Sequence, residues 1–170
     1  MRLLFELDTK NYHFDDEVVV RPSARSIIIE NHKIIMVYSK KYDYYKFPGG
    51  GIEVGETPID AAIRETYEEA GLIIEKHDLQ EFGIVKRTEK LANNQVFRQD
   101  NYYYLVNKYR KGLSQKLDEY EFLEGYTLVY ADPIVAIKTN LCNDHGPANK
   151  IMLQREAMVL EILIKEGYFK

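Results

Sequence analysis

The residues of this chain best suited to chemistry are three carboxylates, Glu65, Glu68 and Glu69, set beside one arginine, Arg64. On a helix, positions three and four apart are neighbours, with Cβ atoms about 5–6 Å from one another, and like charges there destabilise the helix. A protein that crowds carboxylates in this way has a cation for them. Hard oxygen ligands suit Mg²⁺ or Mn²⁺. Mg²⁺ held by few carboxylates and completed by substrate phosphates is the arrangement of phosphoryl chemistry. Upstream stand three successive glycines, Gly49, Gly50 and Gly51. They are read as a turn outside any packing role. It lets the backbone come close to a ligand and take positive φ, with amides and carbonyls able to face a phosphate or a metal.

These residues need elements to hold them. Thr57-Pro58 reads as a helix start: Thr as N-cap, Pro at the first helical position and Asp60 in the first turn. Ile59, Ala62, Ile63, Thr66 and Ala70 make an apolar-to-small stripe at helical spacing, and Gly71 closes the helix. The spacing then puts Arg64, Glu65, Glu68 and Glu69 on the opposite face. Before the glycines, Arg2–Asp8, Glu17–Val20, Ser26–Glu30 and Lys33–Tyr38 read as strands, the last two joined by a turn at Asn31-His32. Phe82–Thr88, Tyr102–Lys108 and Thr127–Ala131 read as later strands, with a loop starting at Lys111–Ser114. A short helix is expected from Asp132-Pro133. A long one is expected from near Pro147 to about Gly167, burying Ile151, Met152, Met158, Val159, Ile162 and Leu163. Strands with few helices and no regular alternation argue for an α/β sandwich with a mixed β-sheet. With no repeat or linker, one domain over residues 1–170 is the economical reading.

The pattern of fixed residues is more specific than the chemistry alone. Gly50, Glu56, Arg64, Glu65, Glu68, Glu69 and Gly71, followed by Leu72, resemble the Nudix box of the MutT/Nudix hydrolases at every fixed position. At residue frequencies of about 5–7% each, chance matching is on the order of 10⁻⁸ per start position. Thr66 stands where the family usually has an aliphatic residue, and is read as a packing change. The run Tyr45-Lys46-Phe47-Pro48-Gly49-Gly50-Gly51 is similar to the entry into the box in many members.

The resemblance implies a Nudix-type α/β/α sandwich and a Mg²⁺-dependent pyrophosphohydrolase. Water would attack a phosphorus of a nucleoside diphosphate linked to another moiety. Glu65, Glu68 and Glu69 would ligate the metal, with a backbone carbonyl from Gly49; Glu56 would support the site, and Arg64 would fix a carboxylate rotamer. The base is implied to come from a loop after the box, which leaves Glu119 and Glu121 open, against the plain reading of Asp118–Glu124 as a solvated acidic loop. Gly50 and Gly51 would lie against substrate. The family markers for ADP-ribose and diadenosine-polyphosphate substrates are absent, since no proline occurs between Pro58 and Pro133 and no tyrosine between Tyr67 and Tyr102. A nucleoside triphosphate or a nucleotide-sugar is the remaining expectation. A Nudix domain that senses a nucleotide without cleaving it is the alternative. It predicts eroded helix carboxylates, and here they are intact. Family habit makes a homodimer the oligomer to test for.

Other residues have two readings. Tyr42, Tyr44, Tyr45 and Tyr102–Tyr104 offer rings for a nucleobase, Tyr45 first among them, or simply pack in strands. Arg21, Arg25, Arg87 and Arg98 offer cations for phosphate, Arg25 first among them, or lie on the surface. His145 is a candidate cleft residue, and Cys142 reads as a small buried hydrophobe.

Composition bounds the rest. In 170 residues, 45% hydrophobic and 29% charged, there is material for a sizeable core and none of the bias of a disordered chain. One cysteine excludes an intrachain disulfide. The apolar runs are too short to span a bilayer, and the N-terminus meets acid too early for a secretory segment, so the expectation is a cytoplasmic protein with no membrane partner. The net charge of −4 argues against a general nucleic-acid binder. It is unevenly placed: residues 53–69 hold six acids and one base, while the remainder holds 22 bases and 21 acids.

Overall fold

The computed structural model describes residues 1–91, 94–112 and 114–170. Its strands are β1 (Leu3–Asp8), β2 (Glu17–Val20), β3 (Ser23–Glu30), β4 (Lys33–Ser39), β5 (Tyr44–Lys46), β6 (Gly49–Gly51), β7 (Leu72–Ile73), β8 (Leu79–Lys90), β9 (Gln95–Val106), β10 (Arg110–Lys111) and β11 (Tyr126–Ala131). Its α-helices are α1 (Pro58–Ala70), α2 (Glu119–Glu124), α3 (Pro133–Cys142) and α4 (Lys150–Lys165). The main sheet runs β1-β8-β9-β3-β4-β11 and is mixed: β3 is parallel to β9 and antiparallel to β4. The loop start expected at Lys111–Ser114 includes Leu113, which lies outside the described residues.

The apolar strands β3 and β4 are buried on both faces. Successive side chains point to opposite sides of a sheet, and so Ile27, Ile34 and Met36 pack with Ala136, Val159, Leu160 and Leu163 of α3 and α4. Their neighbours Ile28 and Ile35 pack with Ala70 and Leu72 at the end of α1. Two helical layers around one sheet follow directly from that alternation. The β3–β4 turn is the expected one, with Asn31 and His32 at φ of 51° and 63°.

Several elements differ from the sequence reading. The hairpin β8–β9 is longer than expected at each strand's polar end, because the ladder continues to Lys90↔Val96 and Arg87 finds Glu89. Helix α4 starts at Lys150, capped by Asn149, whose side chain accepts from the Met152 amide at 2.9 Å. Its buried residues are Leu153, Ala157, Leu160 and the expected Val159 and Leu163, together with Arg155 and Glu156. Ile151, Met152, Met158 and Ile162 are only half-buried. Periodicity missed this rotation because it counts Arg155 and Glu156 as solvent-facing, whereas here they pair with each other at 2.6 Å inside the protein. Cys142 is exposed at the end of α3. No helix among the described residues is long and apolar enough to cross a membrane.

Candidate active site

Helix α1 forms for local reasons. The Thr57 hydroxyl accepts from the Asp60 amide at 3.2 Å, Pro58 occupies the first helical position, and Gly71 closes the last turn at φ 66°. Ala61, Ala62, Thr66 and Ala70 seat the helix on the sheet, with Ile59 and Ile63 only half-buried. The Thr66 hydroxyl donates to the Ala62 carbonyl and lies 2.7 Å from the Ser26 hydroxyl, so the residue is buried with its polar atom satisfied.

The glycines form strand β6 and not a free turn. Gly49, Gly50 and Gly51 pair with Arg25, Ala24 and Ser23 of β3. Packing is what demands them. A Cβ on Gly49 would meet the Ala24 carbonyl oxygen at 2.2 Å, and one on Gly50 would meet the Glu65 carboxylate at 2.6 Å. The glycine backbone is thereby pressed against the carboxylate of α1.

Arg64 ties this corner together. Its Nε donates to Glu56 Oε1 at 2.9 Å and its Nη2 to Glu56 Oε2 and the Gly51 carbonyl, both at 3.0 Å. Its Nη1 donates to Glu65 at 2.8 Å and to Glu68 at 2.9 Å. A planar fork with donors on three nitrogens can do this; an ammonium cannot. The Arg64 hydrogen bonds hold the Glu56 carboxyl below its ordinary range. Burial pushes the Glu65 carboxyl up, with Arg64 pulling the other way.

Glu69 stands apart from the other two carboxylates. It is buried, one oxygen is held by Lys46 Nζ, and the other accepts from the Gly49 amide at 2.9 Å. Burial pushes its carboxyl up to about 7, opposed by Lys46 and the Gly49 amide. The folded value lies above the ordinary 4.5, so between these values the folded state binds a proton that the unfolded chain has released. The contribution of Glu69 to stability is therefore complete below the ordinary value and is lost as pH rises towards 7. In chelator, the stability of the protein should carry such a fall between pH 5 and 7.5, and Glu69→Gln should flatten it; denaturant titrations at the two pH values check this.

Two clefts meet at Gly50. The first, of about 580 Å³, is lined by Gly50, Gly51, Glu65, Glu68 and Glu121, with Lys116 and Tyr120 across from the helix. The second, of about 420 Å³, is lined by Arg25, Lys46, Gly49, Gly50 and a set of tyrosines including Tyr120. Glu121 is buried as the third residue of α2 in a capping box: its Oε2 accepts from the Asp118 amide at 2.9 Å and its Oε1 from the Tyr120 hydroxyl at 2.9 Å. The acidic loop expected there is thus a short helix, closed by Gly125 at φ 68°. Glu119 is exposed at its start and does not line either cleft.

Tyr45 is also away from both clefts. Its ring stacks on Tyr38 at 4.8 Å and its backbone is held by Asn140. The pleat of β5 turns Tyr44 and Lys46 towards the second cleft and Tyr45 to the other face. Period-two counting from Phe47 was the signal for Lys46. Tyr103 and Tyr104 are core residues, and the Tyr103 hydroxyl donates to Glu156 at 3.3 Å. His145 is buried beside the Tyr42 carbonyl, with Nδ1 at 2.9 Å, and lines neither cleft.

The side chains present suit a divalent cation of one kind. Among the described residues no three His, Cys, Asp or Glu side chains stand preassembled around a common point. Glu65 and Glu68 face the first cleft with hard oxygens, while Glu69 is held by Lys46 and the Gly49 carbonyl accepts from Arg25 at 3.1 Å. Two carboxylates fit Mg²⁺ completed by a ligand's own phosphates; they do not make an all-protein cage.

Comparison with known proteins agrees with this geometry. The NUDIX domain model matches residues 20–131. An RNA pyrophosphohydrolase of Psychrobacter sp. (strain PRwf-1) is 46% identical over 48 residues, 27% of this chain and 28% of the relative. One from Aliivibrio fischeri (strain MJ11) is 43% identical over 54 residues, 31% of each chain. These matches span under a third of the relatives' length. Among solved structures, a MutT protein from Bacillus halodurans superposes with a TM-score of 0.56 at 16% identity, covering 79% of this chain and 80% of that one. A MutT structure from work on Aliivibrio salmonicida and Vibrio cholerae gives 0.54 at 18% identity, covering 87% and 99%. At such identities the likeness is one of fold.

Proposed function

The chain belongs to the NUDIX family, and from that premise we propose that it is a Mg²⁺-dependent pyrophosphohydrolase, cleaving a phosphoanhydride in a nucleoside diphosphate linked to another moiety, of the nucleoside triphosphate or nucleotide-sugar type. The observation that carries this is the first cleft, where Glu65 and Glu68 face the glycine strand and share one Arg64 nitrogen. Glu65 and Glu68 would hold the cation, with Mn²⁺ as the alternative ion; Glu69 and the Gly49 carbonyl, held by Lys46 and Arg25, are the further donors the family pattern suggests. A bound Mg²⁺ supplies positive charge to the phosphoryl oxygens and lowers the pKa of water.

The residues of the chain do the rest. Arg64 keeps Glu65 and Glu68 in fixed rotamers and ties them to the Gly51 carbonyl, so the carboxylates meet the substrate already ordered. Gly50 and Gly51 let the phosphates approach the backbone. Glu121, buried on the wall opposite, takes the proton from the attacking water. The new P–O bond forms as the anhydride P–O bond breaks, and the leaving phosphate departs with the electron pair.

The test is a screen of nucleoside triphosphates, nucleotide-sugars, ADP-ribose, dinucleotides and 5′-triphosphorylated RNA with Mg²⁺, reading released phosphate or pyrophosphate. No turnover of any of them removes the reading. For the base, Glu121→Gln should cut kcat by about 10²-fold or more. The fold should persist, because Gln still accepts the Asp118 amide in the capping box. Glu119→Gln should stay within about twofold, as expected of an exposed site. Full turnover in Glu121→Gln would remove it as the base.

A further inference from the structure

The carboxylate proposed as the base carries one hydrogen bond that its capping role does not require. Glu121 Oε2 accepts from the Asp118 amide at 2.9 Å, and that bond belongs to the capping box of α2. Oε1 accepts from the Tyr120 hydroxyl at 2.9 Å and has no other partner among the described residues. A single anchor leaves a carboxylate free to turn about its terminal torsion, whose wells are broad. A second anchor on the other oxygen fixes the plane. Which lone pairs remain for a water is then set by Tyr120.

Tyr120 is in turn held by residues of the second cleft. Its ring meets that of Tyr126 edge-on, with centroids 6.3 Å apart and planes at 81°. Tyr126 is buried, and its hydroxyl lies 2.7 Å from that of Tyr44, which donates to Glu124 at 2.8 Å. Tyr44, Glu124 and Tyr126 line the second cleft, while Tyr120 borders both clefts. The next residues of the same short helix are placed otherwise: Phe122 and Leu123 are exposed and line neither cleft. Burial and the charge of Glu121 push the Tyr120 hydroxyl up, so it stays a donor.

We infer that Tyr120 is a positioning residue for the hydrolysis: its hydroxyl sets the plane of the Glu121 carboxylate so that Oε1 meets the attacking water, and the tyrosines of the second cleft hold its ring for that task. This rests on the reading of Glu121 as the base. The proton passes from water to Glu121, and Tyr120 keeps its own.

The experiment is a double-mutant cycle on the full chain, with Mg²⁺ and the nucleotide turned over fastest in the substrate screen. Tyr120→Phe keeps the ring and removes only the hydroxyl, at a residue more than half exposed, so the fold should persist. It should lower kcat at least about tenfold, with KM and Mn²⁺ affinity within about twofold of wild type. In the Glu121→Gln background the same change should cost less than about twofold, because no base is left to position. Phe122→Ala, a larger truncation on the same helix, should stay within about twofold. Wild-type kcat in Tyr120→Phe overturns the inference, as does a loss confined to KM. Independent, multiplying losses in the double variant overturn it too, since the hydroxyl would then act on substrate directly. An equal fall in Phe122→Ala would show that any disturbance of α2 suffices. Full turnover in Glu121→Gln removes the base and this inference together; wild-type kcat in Tyr120→Phe beside a large loss in Glu121→Gln removes this inference alone.

Discussion

Glu68→Gln should lower turnover by about 10²–10³-fold and leave the fold in place. Glu68 is the more exposed of the two carboxylates that face the first cleft, with its side chain 37% exposed against 14% for Glu65. Its one recorded partner is Arg64 Nη1 at 2.9 Å, an i, i+4 pair at the surface. Pairs of that kind contribute less than about 1 kcal/mol, and Gln keeps an oxygen for Arg64. Stability is therefore indifferent to the change. Activity is not, because Gln keeps the shape and removes the charge that would neutralise a divalent cation beside a polyphosphate. Mn²⁺ binding, followed by electron paramagnetic resonance, should weaken in parallel with the fall in kcat. Wild-type turnover together with unchanged Mn²⁺ affinity would take Glu68 out of the metal site.

Gly49→Ala should be the most damaging single methyl in the site. The added Cβ would sit 2.2 Å from the Ala24 carbonyl oxygen and 2.7 Å from Arg25 Cα, both backbone atoms that cannot swing away. The residue also holds φ at 147°, which a side chain rarely adopts. Relief requires β6 to leave β3, which would release the Gly49 amide from Glu69 and the Gly49 carbonyl from Arg25. A loss of at least about 3 kcal/mol is expected, or a fall in Tm of roughly 10 °C for a chain of this size. Gly55→Ala is the internal control. Gly55 also has positive φ, at 84°, but nothing lies within 4 Å of its would-be Cβ, so only backbone strain of about 1 kcal/mol remains. Equal losses in the two variants would show that the close approach of β6 to β3 carries no weight.

How much of the site could be read in advance varied with how local its causes are. Helix α1 was legible to the residue at both ends, because Thr57, Pro58 and Gly71 act on their own neighbouring backbone. The short helix α2 had a local signature too, Asp118 and Glu121 three apart ahead of Gly125, but a run of acids obscures it. Tyr45, expected against a nucleobase, lies off the cleft and Lys46, given no role from sequence, lines it, because which face of a three-residue strand meets the cleft depends on its neighbours: β5 pairs with β4, and Asn140 of α3 holds the backbone of Tyr45. The burial of Arg155 and Glu156 was illegible for the same reason. Their partners Asn101, Gln99 and Tyr103 of β9 and the Phe47 amide between β5 and β6 lie more than fifty positions away.

The sequence alone determined the family, the helix that carries the box and the separation of charge along the chain, since each rests on residue type and short spacing. Only the tertiary structure decided how the three box carboxylates divide. At about 100° per residue, Glu68 and Glu69 lie on opposite flanks of Glu65. One flank faces solvent and the first cleft; the other meets the sheet, where β5 delivers Lys46 to Glu69. Helical spacing places both flanks, but which of them finds a buried cation depends on a strand some twenty residues earlier in the chain.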